Sequence, residues 1–485
     1  MQTRRRTWVA VGISLAAAAC GADDGLGPGG PDAPGGAGGT KEAIAACIAG
    51  AADIAQMVRC LPGVEVQGDD VITEGIDAGY RRIAATIDQL VDHDHPGTST
   101  HFPQRITLFY QGDVERPLFL ATTGYEIGET TGALERTFGG NVLQLEHRYF
   151  GSSFPDPVDW ELLDLRRSAG DSHAVTQAFK NIFRGKWVNT GVSKGGRTAV
   201  YHRRFFPEDV DATVAFVAPL LRDVDDARFP PFVASVGGDT FAVCRDKLAL
   251  LQRAVLDRRD EVEALMTGSY ELAWGKDVAL EQAVVQIPFG FWKHTNPRSA
   301  VRGCASLPSA DADAQTLYDF VDQTASLTAY QDEHFLVGNA FYHQAYHQCG
   351  TPATDRSQLA DRLRHPDSFV PSYVLGPHVP VPAWDGGAAM ADIDNWVKTA
   401  STRMMFVYGE FDPWTAAPFE INVSGDNRLY VASGGNHGAK LANLSDADRA
   451  DALAALVRWI GASPEMSFVA RPEDEAPRRE RRIAD

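Results

Sequence analysis

One serine stands among glycines in the stretch GVSKGG, residues 191–196, between an apolar β-type run and a helix-like segment. This pattern is typical of a sharp strand-to-helix turn that presents a nucleophilic serine, here Ser193. A serine hydroxyl is a poor nucleophile near neutral pH, so it needs a base and a third group that orients the base. The same pattern also occurs in ordinary turns, and only suitable partners elsewhere in the chain favour the catalytic interpretation.

Two later loops supply such partners. The apolar run MMFVYG is followed by Asp412 in FDPW, and the run LYVA is followed by His437 in GGNHG. The order serine, aspartate, histidine, each after a buried strand, is that of the α/β-hydrolases. The sequence therefore predicts a triad of Ser193, Asp412 and His437. Glu410 is the alternative acid; taken singly, a loop histidine or an Asp-Pro turn would be ordinary surface structure.

Acyl transfer also needs amide donors for the oxyanion. We expect one from the backbone N–H of Lys194, directly after the nucleophile, and a second from Gly124 or Tyr125 in the loop TTGYE. The side chain of Lys194 is expected to be solvated. A role as the base is not expected, because a histidine is available.

The elements that must position these residues form an α/β pattern. From about residue 79, apolar β-type runs alternate with helix-periodic stretches, which indicates a mostly parallel sheet with crossover helices. The alternation stops near residue 219 and resumes near residue 399. We expect an α/β-hydrolase fold with a large helical cap inserted between the sixth strand and the strand before Asp412. The expected boundaries are 46–218 and 399–462 for the core, 219–398 for the cap and 463–485 for a charged tail.

The N-terminus has the pattern of an export signal over residues 1–19, with a basic start and a short apolar run. Cys20 follows small residues, as in a lipidated bacterial signal, and plain cleavage is the alternative. Residues 20–45 are rich in Gly and Pro and are expected to be a flexible tether. We expect an exported protein that is secreted or lipid-anchored to the cell envelope, with no other membrane attachment.

The cysteines suit an oxidising compartment. We expect disulfides Cys47–Cys60 and Cys244–Cys304, which leave Cys349 unpaired.

No metal or cofactor is expected: HQAYHQC could place His343 and His347 near Cys349, but the motif lacks the glutamate of a metalloprotease. His93, His95 and His101 are expected to belong to a polar loop.

The net charge of −19 over 485 residues argues against nucleic-acid binding, which needs a basic surface. We expect a monomer whose partners are substrates only.

Four stretches carry a family resemblance: TGVSKGGRTAVYHRRFFPEDVDATVAFVAP, LEHRYFGSS, FVYGEFDPW and GGNHGAKLANL. From about residue 79 to 461 the chain resembles the secreted bacterial prolyl tri/tetrapeptidyl aminopeptidases. These are serine peptidases of the α/β-hydrolase fold, distantly similar to prolyl carboxypeptidase and dipeptidyl peptidase II. The resemblance implies release of tripeptides from free N-termini, often after proline, the triad named above, and a cap over the active site. It does not cover the segment with Cys47 and Cys60.

Recognition of a free N-terminus needs a shielded anion at a fixed distance from the nucleophile, because a charge-assisted contact to an ammonium is the stronger kind. The candidates are Asp223, Asp225, Asp226, Glu126 and Glu146. Glu146 could instead pair with Arg148.

An apolar pocket for proline could come from the aromatics of the helical segment, Phe289, Phe291, Trp292, Phe341 and Tyr342. Two other functions stay open: an esterase of the same fold, and a non-catalytic surface protein.

Overall fold

The computed structural model describes residues 40–300 and 303–465. Its centre is a nine-stranded sheet in the order β1-β2-β3-β5-β4-β6-β7-β8-β9. The strands are β1 Val64–Val71, β2 Arg81–Leu90, β3 His101–Tyr110, β4 Leu118–Thr122, β5 Asn141–Leu145, β6 Trp187–Val192, β7 Ala212–Phe216, β8 Met404–Gly409 and β9 Arg428–Ala432. Strands β4 to β9 run parallel, whereas β1, β2 and β3 are joined to their neighbours by antiparallel pairing.

Fifteen α-helices accompany the strands within the described residues. They are α1 Lys41–Gly50, α2 Ile54–Arg59, α3 Ala133–Thr137, α4 Leu165–Phe179, α5 Lys194–Phe205, α6 Phe229–Ser235, α7 Ala242–Asp257, α8 Arg259–Glu263, α9 Lys276–His294, α10 Ala314–Ala325, α11 Asp332–Phe335, α12 Asn339–Gln344, α13 Pro371–Val374, α14 Ala388–Thr399 and α15 Asp446–Ile460. None of them combines the length and apolarity needed to cross a bilayer.

Both faces of the sheet are covered, as the alternation of side chains on β4 illustrates. Leu118 and Leu120 pack in the cluster that contains Phe179 of α4. Phe119 points the other way and packs in the cluster that contains Trp459 of α15. A strand that is buried on both sides reads as a continuous apolar run, which is why β4, β7 and β8 were visible in the sequence.

The expected mostly parallel α/β-hydrolase sheet is confirmed by this topology. One strand was not predicted: β1, an edge strand whose residues are half-buried or exposed, so it lacks an apolar signal. The helical insertion therefore follows the seventh strand, β7, and not the sixth, because β1 adds one strand to the count. Helix α1 begins at Lys41, inside the stretch predicted to be tether, because Thr40 caps it by accepting from the Ala43 N–H. Residues 1–39 and 466–485, with the predicted signal, Cys20 and most of the tail, lie outside the described residues.

The chain between β7 and β8 carries helices α6 to α14 and has its own core, which includes Leu248, Val284 and Trp292. That core extends to Phe411, in the loop directly after β8. The structure contains both predicted disulfides: Cys47–Cys60 joins α1 to the end of α2, and Cys244–Cys304 joins α7 to the loop after α9. Cys349 is a buried free thiol.

Candidate active site

Ser193 sits at a strained turn between β6 and α5. Its φ of 56° and ψ of −122° place it in a region that non-glycine residues rarely occupy, and its N–H donates to the Phe216 carbonyl at 2.8 Å. The flanking glycines are needed because a Cβ on Gly191 would lie 2.3 Å from the Gly195 carbonyl carbon. A Cβ on Gly195 would lie 2.3 Å from the Thr122 oxygen. The glycines therefore let the turn pack against β4 while it presents the serine.

Asp412 and His437 form a buried pair at the carboxyl edge of the same sheet, after β8 and β9. The Asp412 Oδ2 atom lies 2.7 Å from His437 Nδ1, and the two residues are 0% and 5% exposed. Because the carboxylate engages Nδ1, the other ring nitrogen, Nε2, is left to act as a base. The second carboxylate oxygen, Oδ1, accepts from the Trp414 N–H at 3.2 Å, which fixes the side chain.

Glu410, the alternative acid, is engaged elsewhere. Its exposed carboxylate accepts from the Ser433 hydroxyl at 3.0 Å and from the Gly434 N–H at 2.6 Å. It therefore stabilises the turn after β9, and Asp412 is the acid that contacts the imidazole.

The loop after β4 lies directly against the serine turn. Gly124 has a φ of +74°, and a Cβ there would come within 2.5 Å of the Gly195 nitrogen. The Tyr125 carbonyl accepts from the His147 N–H at 2.9 Å, and its N–H makes a long contact of 3.3 Å to Thr123 Oγ1. The predicted donors Lys194, Gly124 and Tyr125 are thus brought together beside Ser193.

The prediction of a solvated Lys194 side chain is wrong. Lys194 is 3% exposed, and its Nζ donates to the Gly124 carbonyl at 2.7 Å. The same atom lies 5.6 Å from the centre of the Tyr125 ring and 5.0 Å from that of Phe150. Burial lowers the pKa of the amine well below its usual value. The reason is geometric: a side chain in the first turn of a helix points back past the N-terminus, here onto the loop after β4.

Two of the five carboxylates predicted to bind a substrate amine are occupied by the protein. Glu146 is 0% exposed and accepts from Arg105 at 3.1 Å, Ile127 N–H at 3.0 Å and Ser153 Oγ at 2.9 Å. Asp226 is buried and pairs with Arg228 at 2.6 Å. Both side chains therefore already form hydrogen bonds or ion pairs within the protein, and a role in binding the amine stays a prediction for each.

Arg148, suggested as the partner of Glu146, pairs instead with Asp171 at 2.6 Å. Asp223 and Asp225 are exposed at the start of the helical segment. Glu126 is half-buried beside the loop after β4.

A cavity of 1210 Å³ lies within the helical segment. Phe291 and Tyr342, two of the five predicted aromatics, line it; none of the described residues in its lining belongs to the triad. Its walls also carry three carboxylates that the sequence analysis missed, because acids on helix faces look like ordinary surface: Asp319, Asp322 and Glu333.

The other three aromatics lie elsewhere. Phe289 packs on Trp414 at a ring distance of 5.2 Å, Phe341 stacks on Tyr125 at 6.2 Å, and Trp292 is fully buried in the core of the helical segment.

Three of the five predicted histidines contact carboxylates, and the other two lie beside each other. His93, His95 and His101 each contact an aspartate at 2.8 Å. Ring centres of His343 and His347 are 6.1 Å apart. Across residues 40–300 and 303–465, no three His, Cys, Asp or Glu side chains are grouped so as to hold a metal ion.

A strained serine between β6 and α5, with a buried Asp–His pair after β8 and β9, defines a serine hydrolase of the α/β-hydrolase class. The family described as PS-10 peptidase S37 matches residues 49–479, and the chain belongs to this family. The match begins at residue 49 and not near 79, so the family pattern includes Cys60 and β1.

Two curated relatives and two solved structures illustrate the similarity. The chain is 35% identical to the prolyl tri/tetrapeptidyl aminopeptidase of Streptomyces mobaraensis over 444 residues, 89% of this chain and 90% of the relative. It is 33% identical to the thymus-specific serine protease of Mus musculus over 110 residues, 21% of this chain and 22% of the relative.

Among solved structures, the proline iminopeptidase of Mycobacterium smegmatis matches with a TM-score of 0.31 and 12% identity, covering 76% of this chain and 96% of that one. The peroxisomal alpha-beta-hydrolase Lpx1 of Saccharomyces cerevisiae matches with a TM-score of 0.34 and 12% identity, covering 80% and 92%. The family match and the Streptomyces relative confirm the resemblance found in the motifs, and the protein is a serine peptidase.

Proposed function

We propose that this peptidase releases tripeptides, or tetrapeptides, from free peptide N-termini, often after proline. The observation that carries the proposal is the 35% identity, over 89% of the chain, to a relative named as a prolyl tri/tetrapeptidyl aminopeptidase. The buried Asp412–His437 contact of 2.7 Å and the strained turn at Ser193 support the chemistry.

In the proposed mechanism, Ser193 Oγ attacks the scissile carbonyl while His437 Nε2 takes its proton. Asp412 holds the imidazole through Nδ1 and stabilises the imidazolium. The N–H of Lys194, together with that of Gly124 or Tyr125, stabilises the oxyanion. His437 then protonates the leaving amine, and water hydrolyses the acyl-enzyme by the reverse sequence of proton transfers.

We propose that the N-terminal residues of the substrate occupy the cavity of the helical segment. Its volume of 1210 Å³ exceeds the roughly 300–1,000 Å³ of ordinary small-molecule pockets, which suits a peptide. Two contacts connect residues in or beside the cavity wall with the site. His294 lines it, and the preceding residue, Lys293, accepts from the His437 N–H through its carbonyl at 3.0 Å. Tyr342 lines it as well, next to Phe341, which stacks on Tyr125.

The ammonium of such a substrate needs an anion. Asp322 is half-buried in the cavity wall and is the carboxylate that we propose for this role. Asp223, Asp225 and Glu126, the other predicted carboxylates, would instead place the amine at the edge of the sheet. The two binding positions for the amine can be told apart, because each predicts that a different carboxylate variant loses recognition of the free N-terminus.

The test is hydrolysis of an Ala-Ala-Pro chromogenic amide with a free or an acetylated N-terminus, with Ser193→Ala as the control. Release from the free-amine form alone, lost in the variant, supports the proposal. Equal release from both forms leaves a serine hydrolase that does not recognise the amine. Turnover of esters without turnover of either amide would favour an esterase, and no turnover of any substrate would favour a non-catalytic surface protein.

We also propose that the protein is exported, since two disulfides form readily only in an oxidising compartment. Lipid on Cys20 would anchor it to the cell envelope. Mass spectrometry of the N-terminal peptide from the wild type and from Cys20→Ser tests this; an unmodified Cys20, or cleavage elsewhere, would support a freely secreted form.

A further inference from the structure

The Lys194 side chain is a buried amine without a carboxylate partner. In the part of the chain that the structure describes, no Asp or Glu pairs with its Nζ, although the residue is only 3% exposed. Its contacts are the Gly124 carbonyl at 2.7 Å and the faces of two aromatic rings, Tyr125 and Phe150. Burying an amine in this way costs free energy, so this arrangement calls for an explanation beyond packing.

The contact with Gly124 fixes the direction of one peptide group. The Gly124 carbonyl and the Tyr125 N–H belong to the same planar trans peptide and point in opposite directions. Because Lys194 Nζ holds the carbonyl on the interior side, the Tyr125 N–H is turned to the other side. On that side it donates to Thr123 Oγ1 across a long distance, 3.3 Å.

The rest of the loop is held just as firmly. Thr123 Oγ1 donates to the Tyr125 carbonyl at 2.7 Å, and the His147 N–H donates to the same oxygen at 2.9 Å. Gly124 lies so close to the Gly195 nitrogen that no side chain fits between them. The peptide group between Gly124 and Tyr125 is thus tied to the helix that begins directly after the nucleophile.

We propose that the Lys194 side chain is a positioning residue, which orients the peptide group between Gly124 and Tyr125 as an oxyanion donor. This inference rests on the serine-hydrolase part of the proposed function and not on its peptide specificity. Lys194 then acts twice in the transition state: directly through its backbone N–H and indirectly through its amine. Stabilisation of this kind depends on donors that are already aligned before charge develops.

The test compares Lys194→Met with Lys194→Gln. Both remove the charge at similar length, but only glutamine retains a donor. The readouts are kcat, KM, the inhibition constant of the released tripeptide, and the affinity of a peptide boronate, which forms a tetrahedral adduct on the serine.

For Lys194→Met we expect kcat and boronate affinity to fall by about 10- to 100-fold, somewhat less than the effect of deleting a whole donor. KM and product affinity should stay within about twofold of the wild type, because the ground state makes no oxyanion. Lys194→Gln should recover part of the loss. Equal losses for boronate and product, or a kcat within about threefold of the wild type, would overturn the proposal.

If Lys194→Met does not fold, the comparison of Lys194→Gln with the wild type decides the matter. A selective loss of boronate affinity supports the proposal, and a parallel loss of product affinity, or no loss of either, contradicts it. Failure of the proposed function can be told apart from failure of this inference, since the former would appear as a lack of peptide turnover in the wild type. The Lys194 variants can then be compared with an ester substrate and an alkyl boronate.

Discussion

The backbone N–H of His437 donates to the carbonyl oxygen of Lys293 across 3.0 Å. Lys293 lies in the last turn of α9, so the helical segment directly supports the loop that carries the imidazole. The loop after α9 adds a second contact, because the Arg298 guanidinium lies 5.2 Å from the centre of the Phe411 ring, next to Asp412. The inserted helices are therefore part of the support for the Asp412–His437 pair.

Removing the Cys244–Cys304 disulfide should lower both stability and activity. The bond spans 60 residues and anchors the loop that follows α9, and its loss should cost about 4 kcal/mol of unfolding free energy. We expect the Cys244→Ser/Cys304→Ser variant to show a lower kcat even below its unfolding temperature, since the end of α9 loosens beside His437. Thermal unfolding and turnover at 25 °C are the measurements.

The matched control is Cys47→Ser/Cys60→Ser. This bond spans 13 residues on α1 and α2, remote in sequence from the catalytic loops, and its loss should cost about 3 kcal/mol. Its kcat should stay at the wild-type value where the variant is folded. Equal activity in both double variants would show that α9 does not support the imidazole.

Asp412→Asn should reduce kcat by about 10⁴-fold, because an amide can hold His437 in the wrong tautomer while leaving the geometry intact. Glu410→Gln is the control, since Glu410 contacts Ser433 and Gly434 and not the imidazole. We expect it to change kcat by less than about threefold. A reversed ranking in steady-state kinetics would make Glu410 the catalytic acid.

Asp322→Asn should raise KM for a free-amine tripeptide amide by about 10- to 100-fold, the effect of losing a charged hydrogen bond. The acetylated amide should be turned over no worse than by the wild type. Asparagine keeps the oxygen that accepts from the Thr328 N–H at 2.8 Å, so the fold is preserved. If Asp225→Asn or Glu126→Gln has this effect instead, the amine binds at the edge of the sheet.

The stability of the protein should fall as the pH drops from about 6.5 to about 4. Burial, followed by the neighbouring His347, lowers the pKa of His343 to about 4 from its ordinary value of 6.5. In this window the unfolded chain binds a proton that the folded imidazole does not, so proton binding favours unfolding by about 3 kcal/mol in all. Above pH 6.5 the group makes no difference.

Denaturant titrations at pH 7 and pH 4.5 measure this effect. His343→Phe keeps a ring against Trp160, whose ring centre lies 5.3 Å away, but cannot titrate. We expect the loss of stability between the two pH values to be smaller by about 2.4 kcal/mol in this variant. The same loss in both proteins would assign it to other groups.

The sequence was sufficient to predict the features that local pattern controls. The glycines around Ser193 are dictated by close backbone contacts, and the helix-like segment expected after them is α5, Lys194–Phe205. The loops with Asp412 and His437 were visible because each follows an apolar run, although only β8 is fully buried and β9 is an edge strand with Val431 exposed. Disulfide pairing was predicted correctly as well.

Features that depend on distant partners were not predictable. A lysine is a charged residue, which predicts a solvent-exposed side chain. Only the fold brings the Gly124 carbonyl to the Lys194 amine. Nothing near Glu146 in the sequence indicates that Arg105 is its partner, because Arg105 lies 41 positions earlier, on β3. Strand β1 was missed because none of the residues of this edge strand is buried, so it has no continuous apolar run.

The parallel pairing of β7 with β8 joins Thr213 to Met404, residues that stand on either side of the whole helical segment. Contacts between residues so far apart in sequence form late and slowly, because loop closure must precede them. The nucleophile turn belongs to the earlier part of the chain, whereas Asp412 and His437 belong to the part that closes the sheet. We therefore expect the serine turn to form before His437 reaches it, and we expect activity to return after refolding only when β8 and β9 have joined the sheet.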